Sequence, residues 1–416
     1  MSDSQPNTHF DLIIAGGGLA GLSLAHALQK AHNWRIAIVE SHQPTPEQPA
    51  NFDERVFALS AMTVRILKTL GLWNNMHEQG AAIGHIHVSD QGSYGKVRLY
   101  AEQHGLAEFG QVLPARILGR CLQDAVAELD LTWFRPNKIS ATSIDSRTQL
   151  RTVTLESGDT LTTQLLVVAE GANSDTCKML NVSAREHDYG HVAVIANVQT
   201  DEPHNNWAIE RFTPSGPLAL LPMPDNRRAL VWTHEPQKAA ELLAMSDDEF
   251  SQQLQHAMGY QCGLIERVGT RNSYPLKLRL VEQSVFPRAV VLGNAAHALH
   301  PIAGQGFNLG IRDVMELAMQ LSKTRHEHPE QRGDVGNFNV LNAYQQARLS
   351  DQVGVAESTH VLALVFSNDI APLQLGRSAA LSAMAHLAPA RNWLVQKAMG
   401  LSSLSQSPEE WLREQR

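Results

Sequence analysis

"DLIIAGGGLAGL", residues 11–22, decides how the chain is read. Leu12 to Ala15 make a short apolar run of strand length, and glycines at 16, 18 and 21 follow it directly. The apolar spacing that comes next reads as a helix. GxGxxG between a strand and a helix is the pattern of a dinucleotide-binding turn. Gly16 permits the tight turn, Gly18 lets a pyrophosphate approach bare backbone, and Gly21 lets the helix lie close on the strand. The next strand, "RIAIVE", ends in Glu40, where an acidic side chain can accept from a ribose hydroxyl. An α/β domain of Rossmann-like type is therefore expected.

Composition narrows the class. A chain of 416 residues with 43% hydrophobic and 18% charged side chains is globular and long enough for two or three domains. Its net charge of −8, without a Lys/Arg cluster, argues against nucleic acid as a partner. Cys121, Cys177 and Cys262 are far apart and form no CxxC pair, which fits neither a disulfide framework nor a zinc site. No His/Cys/Asp cluster has metal-ligand spacing, and no G-x-S-x-G elbow occurs. The start, "MSDSQPNTHF", shows no basic stretch followed by an apolar one, so no signal peptide is expected. The expected setting is the reducing cytoplasm.

A second glycine-rich stretch, "HPIAGQGFNLG" (300–310), precedes "IRDVMELAMQLSK". Ile311, Val314, Met315, Ala318 and Leu321 have the spacing of one helix face, so a helix is predicted after the glycines. Bare backbone at a helix start suits an electron-rich group, because the first N–H groups are unpaired and the dipole is positive there. A plain turn is the alternative.

Four further segments occur in order: "FDERVFALSAMTVRILKTLGLW" (52–73), "LPARILGRCLQDAV" (113–126), "LLVVAEGANS" (165–174) and "VVLGNAAHALHPIAGQGFNLGIRDVMELA" (290–318). Together with the N-terminal fingerprint they resemble the flavin-dependent aromatic hydroxylases, and within them the monooxygenases of ubiquinone biosynthesis. The resemblance implies FAD as cofactor and NAD(P)H as reductant. It also implies that Asn294 faces the ribityl or pyrophosphate portion of FAD. The backbone of Gly304, Gln305 and Gly306 would lie beside the flavin ring, with Asn308 in the same loop. Arg55 would lie near the flavin, and Arg116, or Arg120 one turn on, near the FAD phosphates. Two departures stand out: Gly293-Asn294 takes the place of the usual Gly-Asp before Ala-Ala-His, and the middle motif is altered. Glu170-Gly171 replaces the usual Asp-Gly, and Cys177, followed by Lys178, replaces an expected arginine. That motif is the one associated with the nicotinamide donor.

The implied fold is a three-layer, Rossmann-like FAD-binding domain of aromatic-hydroxylase type, with an inserted antiparallel-sheet substrate domain and a helical C-terminal region. Residues 1–75, 101–180 and 286–337 would form the discontinuous FAD-binding domain. Residues 76–100 and 181–285 would form the substrate domain, and 338–416 the helical region. "LALLPMPDNRRALVW" predicts a hairpin turning at Pro224-Asp225-Asn226. The implied reaction is oxygen activation at the flavin and hydroxylation of a prenylated phenol, with O2 as co-substrate. A phenol hydroxyl activates its para carbon, so a methoxyphenol hydroxylated there is chemically sensible.

No catalytic base is identified. His297 and His300 flank the flavin loop, but a structural role is the better expectation for both. "STHVLALVFSN" (358–368) and "RSAALSAMAHLAPARNWLVQKAMGL" (377–401) carry more apolar residues than one helix face needs. Leu362–Phe366 and Leu381–Leu387 are the candidate wall for a prenyl tail, or a contact with the inner membrane surface or a biosynthetic complex. Rival readings are a sister hydroxylase acting at another ring carbon and a non-catalytic component that binds FAD and lipid. A flavin halogenase would need GWxWxIP, which is absent.

Overall fold

The computed structural model describes residues 8–43, 52–92, 95–299, 304–327, 333–366 and 386–415. The chain opens with β1 (His9–Ala15), α1 (Leu19–Ala31) and β2 (Ile36–Val39). Next come β3 (Val56–Ser60), α2 (Ala61–Thr69), β4 (Ala81–Ile83), β5 (His85–Asp90) and β6 (Lys96–Tyr100). Then follow β7 (Gly110–Pro114), α3 (Ala115–Ala127), β8 (Leu131–Phe134), β9 (Ile139–Ile144) and β10 (Arg151–Leu155). β11 (Thr160–Val168) and α4 (Asp175–Met179) complete the first half.

The first sheet runs β18-β19-β11-β1-β2-β8, where β18 is Val285–Phe286 and β19 is Ala289–Val291. Its central strands are parallel and buried on both faces, hence their continuous apolar runs. One face is covered by α1, α3 and a long helix α7 (Gln305–Glu327), through residues such as Leu24, Ile117 and Val314. The β9–β10 ribbon and α4 cover the other through Ile139, Val153 and Cys177. The three layers match the expected fold class.

Between α4 and β18 lie β12 (Ala184–Thr200), β13 (Trp207–Thr213), β14 (Gly216–Pro222) and β15 (Arg227–His234). They are followed by α5 (Pro236–Ala244), α6 (Asp247–Met258), β16 (Ile265–Val268) and β17 (Asn272–Val281). The hairpin between β14 and β15 turns at the expected residues, with Asp225 and Asn226 at φ of 60° and 56°. These strands join β5 and β6 in a nine-stranded sheet, ordered β20-β17-β12-β15-β14-β13-β5-β6 with β16 on β12; β20 is His297–Ala298. The sheet departs from the expected antiparallel pattern at one seam, because β5 pairs with β13 in parallel. β5 and β6 enter from a distant part of the chain, so no short turn dictates the direction of that pairing. Helices α5 and α6 cover the outer face around Leu242, Phe250 and Leu254.

The C-terminal region is helical, as expected: α8 (Phe338–Phe366), α9 (Ala388–Met399) and α10 (Pro408–Glu414). Among the described residues, no helix is long and apolar enough to cross a membrane. α7 differs from expectation, since it begins at Gln305 rather than near Ile311. Gly306 and Gly310 lie inside it. A Cβ on Gly310 would stand 3.2 Å from the Cα of Gly293, so that glycine serves close packing, not a turn.

Candidate active site

A cavity of about 2170 Å³ runs from the end of β1 and β2, along α7, to the inner face of the nine-stranded sheet. A pocket for one drug-sized ligand is typically about 300–1,000 Å³, so this one has room for a dinucleotide and a second molecule.

At the first end, Gly16 has φ of 104°, and a Cβ there would lie 2.5 Å from the carbonyl oxygen of Ala169. A Cβ on Gly21 would lie 2.1 Å from the carbonyl oxygen of Gly16. Both positions exclude side chains. Gly18, the N-cap of α1, is different: no protein atom lies within 4 Å of where its Cβ would be, and it faces the cavity. The first turn of α1 has neither a side-chain cap nor an acidic residue. An open, positive helix end beside bare backbone fits a phosphate group. Glu40 lies on the same wall and accepts hydrogen bonds from the Gly17 and His42 N–H groups at 2.7 and 2.9 Å. Burial opposes its ionisation, but those backbone donors outweigh it and hold the carboxyl below its ordinary range.

At the far side of this end, Asn294 is exposed on the cavity wall in a single 3-10 turn, Gly293–Ala295. Gly304, Gln305 and Gly306 also line the cavity at the start of α7. Gly304 has φ of 60°, and a Cβ there would come 3.1 Å from Ala58 Cβ, whereas Gly306 opens onto free space. The first turn of α7 carries no acid, so its dipole and unpaired N–H groups can meet negative charge. Pro301 and His300 lie outside the described residues.

Asn308 lines the cavity as expected, but its side-chain amide is engaged within the protein. Its Oδ1 accepts from the Ser60 N–H at 2.8 Å and the Thr63 hydroxyl at 2.7 Å. Its Nδ2 donates to the carbonyls of Ala58 and Gly304, both at 2.8 Å. The amide is consumed in fastening α7 to β3 and α2, which makes Asn308 a positioning residue. Arg55 is exposed on the cavity wall. Arg116 is not on that wall; it pairs with Glu54 at 3.5 Å, and Glu54 also holds Arg227 at 3.1 Å. Arg120 is likewise not on the wall.

The altered middle motif has a local explanation. The Glu170 carboxylate accepts from Ser174 Oγ at 2.5 Å, Thr176 Oγ1 at 3.0 Å and the Thr176 N–H at 3.2 Å. It ties the turn before α4, while Gly171 takes the required φ of 84°. Cys177 is buried in the core behind it, its thiol pushed up by burial. Lys178 reaches the cavity wall and pairs with Asp175 at 2.7 Å.

His297 is fully buried, with Nε2 at 2.5 Å from Asp313 Oδ2. Asp313 also accepts from Arg348 at 2.8 Å and Gln352 at 3.0 Å. This network is closed to the cavity, so the histidine serves structure. Of the expected apolar wall, Leu362 lines the cavity, whereas residues 381–385 lie outside the described ones and Leu387 is exposed. Leu394, Val395, Ala398 and Met399 of α9 complete the roof. Among the described residues, no group of His, Cys, Asp or Glu could hold a metal ion. Sequence reasoning missed the polar groups of the sheet face: Glu210, Asn272 and Tyr274 all line the cavity. Alternation within a strand reveals two faces but not which one looks inward.

The sequence pattern of the family described as "FAD binding domain" matches residues 9–350. The chain is 32% identical over 404 residues to "Ubiquinone hydroxylase UbiL" of Rhodospirillum rubrum, covering 97% of this chain and 92% of that protein. It is 27% identical to "3-demethoxyubiquinol 3-hydroxylase" of Escherichia coli strain K12, covering 95% of this chain and all (100%) of that one. The crystal structure of p-nitrophenol 4-monooxygenase PnpA from Pseudomonas putida DLL-E4 superposes with a TM-score of 0.75 at 16% identity. That superposition covers 95% of this chain and 99% of the other, and shows the shared fold.

Proposed function

Because the chain belongs to the FAD binding domain family, and within it to the flavin monooxygenases of ubiquinone biosynthesis, we propose that it hydroxylates a prenylated methoxyphenol. The substrate is of the 2-polyprenyl-6-methoxyphenol type, and the new hydroxyl enters para to the existing one. The enzyme is an FAD-dependent monooxygenase. NAD(P)H is the proposed reductant. We assign the dinucleotide to Gly16, Gly18, Gly21 and Glu40, and the flavin end to Arg55, Asn294 and the backbone of Gly304, Gln305 and Gly306.

The carrying observation is one continuous cavity whose second half is walled by apolar strands and by α8 and α9. Bound FAD supplies the two-electron chemistry that activates O2. The polypeptide supplies position and dryness. Each buried CH₂ of a prenyl tail contributes about 0.8 kcal/mol, and that binding energy can hold the ring in place. Leu349, Val353, Val361 and Leu364 on α8 and Trp393 on α9 are exposed apolar residues. They support a peripheral contact of this end with the membrane that carries the prenylated substrate.

The test is turnover of holoenzyme with NAD(P)H, O2 and methoxyphenols with and without a prenyl tail, with the product ring assigned by NMR. The expected product is the para-hydroxylated quinol, with tail truncation lowering kcat as well as raising KM. Equal efficiency on a short phenol would overturn the tail argument. A hydroxyl at another carbon would favour the sister reading, in line with the name of the E. coli relative.

A further inference from the structure

The inner face of the nine-stranded sheet carries a charged group that the proposed function leaves without a task. Strand pairing sets Val97, Val88, Glu210, Ala219, Val231 and Ile195 side by side across β6, β5, β13, β14, β15 and β12. Residues opposite one another in a ladder share a face, and all six line the cavity. Along β13, Ala208 and Phe212 point the same way as Glu210, while Ile209 packs outward into the core beneath α5 and α6. One carboxylate therefore stands in a row whose other members are apolar from Val97 to Ile195, before the row ends at Asn272 on β17.

No charged group acts on its carboxyl; Arg55, on the same cavity wall, acts on Tyr274 instead. β14 has no ionisable side chain. On β5, His87 lies opposite Ile209 and so belongs with Arg211 to the other face. Arg227, at the start of β15, is committed to Glu54, and Lys277 of β17 to Asp188 at 3.2 Å. The roof presents Leu362 from α8 and Leu394, Val395 and Met399 from α9. Tyr274 contributes a phenol whose ionisation burial disfavours. Burial alone acts on the Glu210 carboxyl and pushes it up to about 7. A carboxylate between apolar neighbours is unfavourable for folding, which points to a use in the cavity.

We propose that Glu210 accepts the proton of the substrate's ring hydroxyl. The assignment rests on reading the substrate as a phenol. The phenolic O–H bond breaks, its proton passes to a Glu210 carboxylate oxygen, and its electron pair stays on the phenolate oxygen. That pair is shared with the ortho and para carbons, which makes them the nucleophilic positions for oxygen transfer. The step is a proton transfer and needs no other reactant. A phenol ordinarily ionises near 10 and a glutamate near 4.3, so raising the carboxyl to about 7 removes roughly half of the mismatch.

The test compares wild-type and Glu210→Gln holoenzymes. The variant should keep full FAD content and bind a prenylated phenol, yet hydroxylate it about 100-fold or more slowly. Wild-type kcat should fall below about pH 7 with one ionisation, and the variant should lose that limb. A ring-fluorinated prenylphenol, whose hydroxyl is more acidic, should recover much of the lost rate. In oxidised holoenzyme without reductant, binding that phenol should raise a carboxylic-acid C=O band in infrared difference spectra, absent in Glu210→Gln. A variant within about threefold of wild type, or one that keeps the acid limb, overturns the role of Glu210 and leaves the proposed function standing. A wild-type holoenzyme that hydroxylates no phenol overturns both.

Discussion

At the scale of single residues, glycine is the clearest guide. Gly16 and Gly21 have no room for a Cβ because backbone oxygens lie 2.5 and 2.1 Å away, whereas Gly18 has open space above it. Gly18→Val should therefore leave a folded protein that purifies without the yellow flavin spectrum, since the new side chain fills the place of a pyrophosphate. Full flavin content in that variant would refute the placement. These glycines were legible in the sequence because the backbone path itself demands them. Arg116 and Asn308 were not. A guanidinium or an amide goes to whichever partner tertiary packing brings near, here Glu54 in one case and Ser60, Thr63, Ala58 and Gly304 in the other. Glu210 was silent for a different reason: in "WAIERFT" it alternates with Ile209 and Arg211 and reads like an ordinary solvent-facing position.

At the scale of elements, α7 shows where periodicity ran short. Its apolar spacing is plain from Ile311 onward, but two glycines in its first two turns read as breakers, although both lie inside the helix. The helix tolerates them because the start of α7 must sit against Gly293 and the cavity, where packing outweighs propensity. Gly306→Val should keep the fold, as nothing lies within 4 Å of the new Cβ position. It should push the flavin away from the first-turn N–H groups and lower its two-electron reduction potential by about 20–40 mV. An unchanged potential with unchanged flavin retention would show the helix start to be a bystander. The β14–β15 hairpin was easier, because Pro-Asp-Asn fixes a turn by local sterics alone.

At the scale of the whole molecule, two buried histidines couple stability to pH. Burial first, and then repulsion by Arg98, Lys96 and Arg211, lowers His87 to about 4. Burial, followed by Lys238 and His191, lowers His234 to about 4. Both imidazoles stay neutral in the folded chain and protonate in the unfolded one below about 6.5. The unfolded state then binds more protons, so stability falls as pH drops from about 6.5 to about 4, and this contribution levels off below. The loss is about 3 kcal/mol for each group when fully developed. Denaturant melts across this window should show the decline, and a His87→Gln, His234→Gln double variant should make it measurably shallower, the other lowered histidines such as His26 and His204 keeping the rest. The parallel seam between β5 and β13 belongs to this scale too, since no local signal tells a strand which distant edge it will join.

The fastening of α7 also sets the order in which the cavity can be assembled as the chain is made. The amide of Asn308 meets partners 248 and 250 residues earlier in the chain, at Ser60 and Ala58. Gln305 in turn donates to the carbonyl of Ala398, 93 residues later. A nascent chain that has already made its GxGxxG turn still lacks the α7 end of the cavity, and the roof supplied by α9 comes later still. The cavity wall therefore closes only when segments made early and late in the chain are both present.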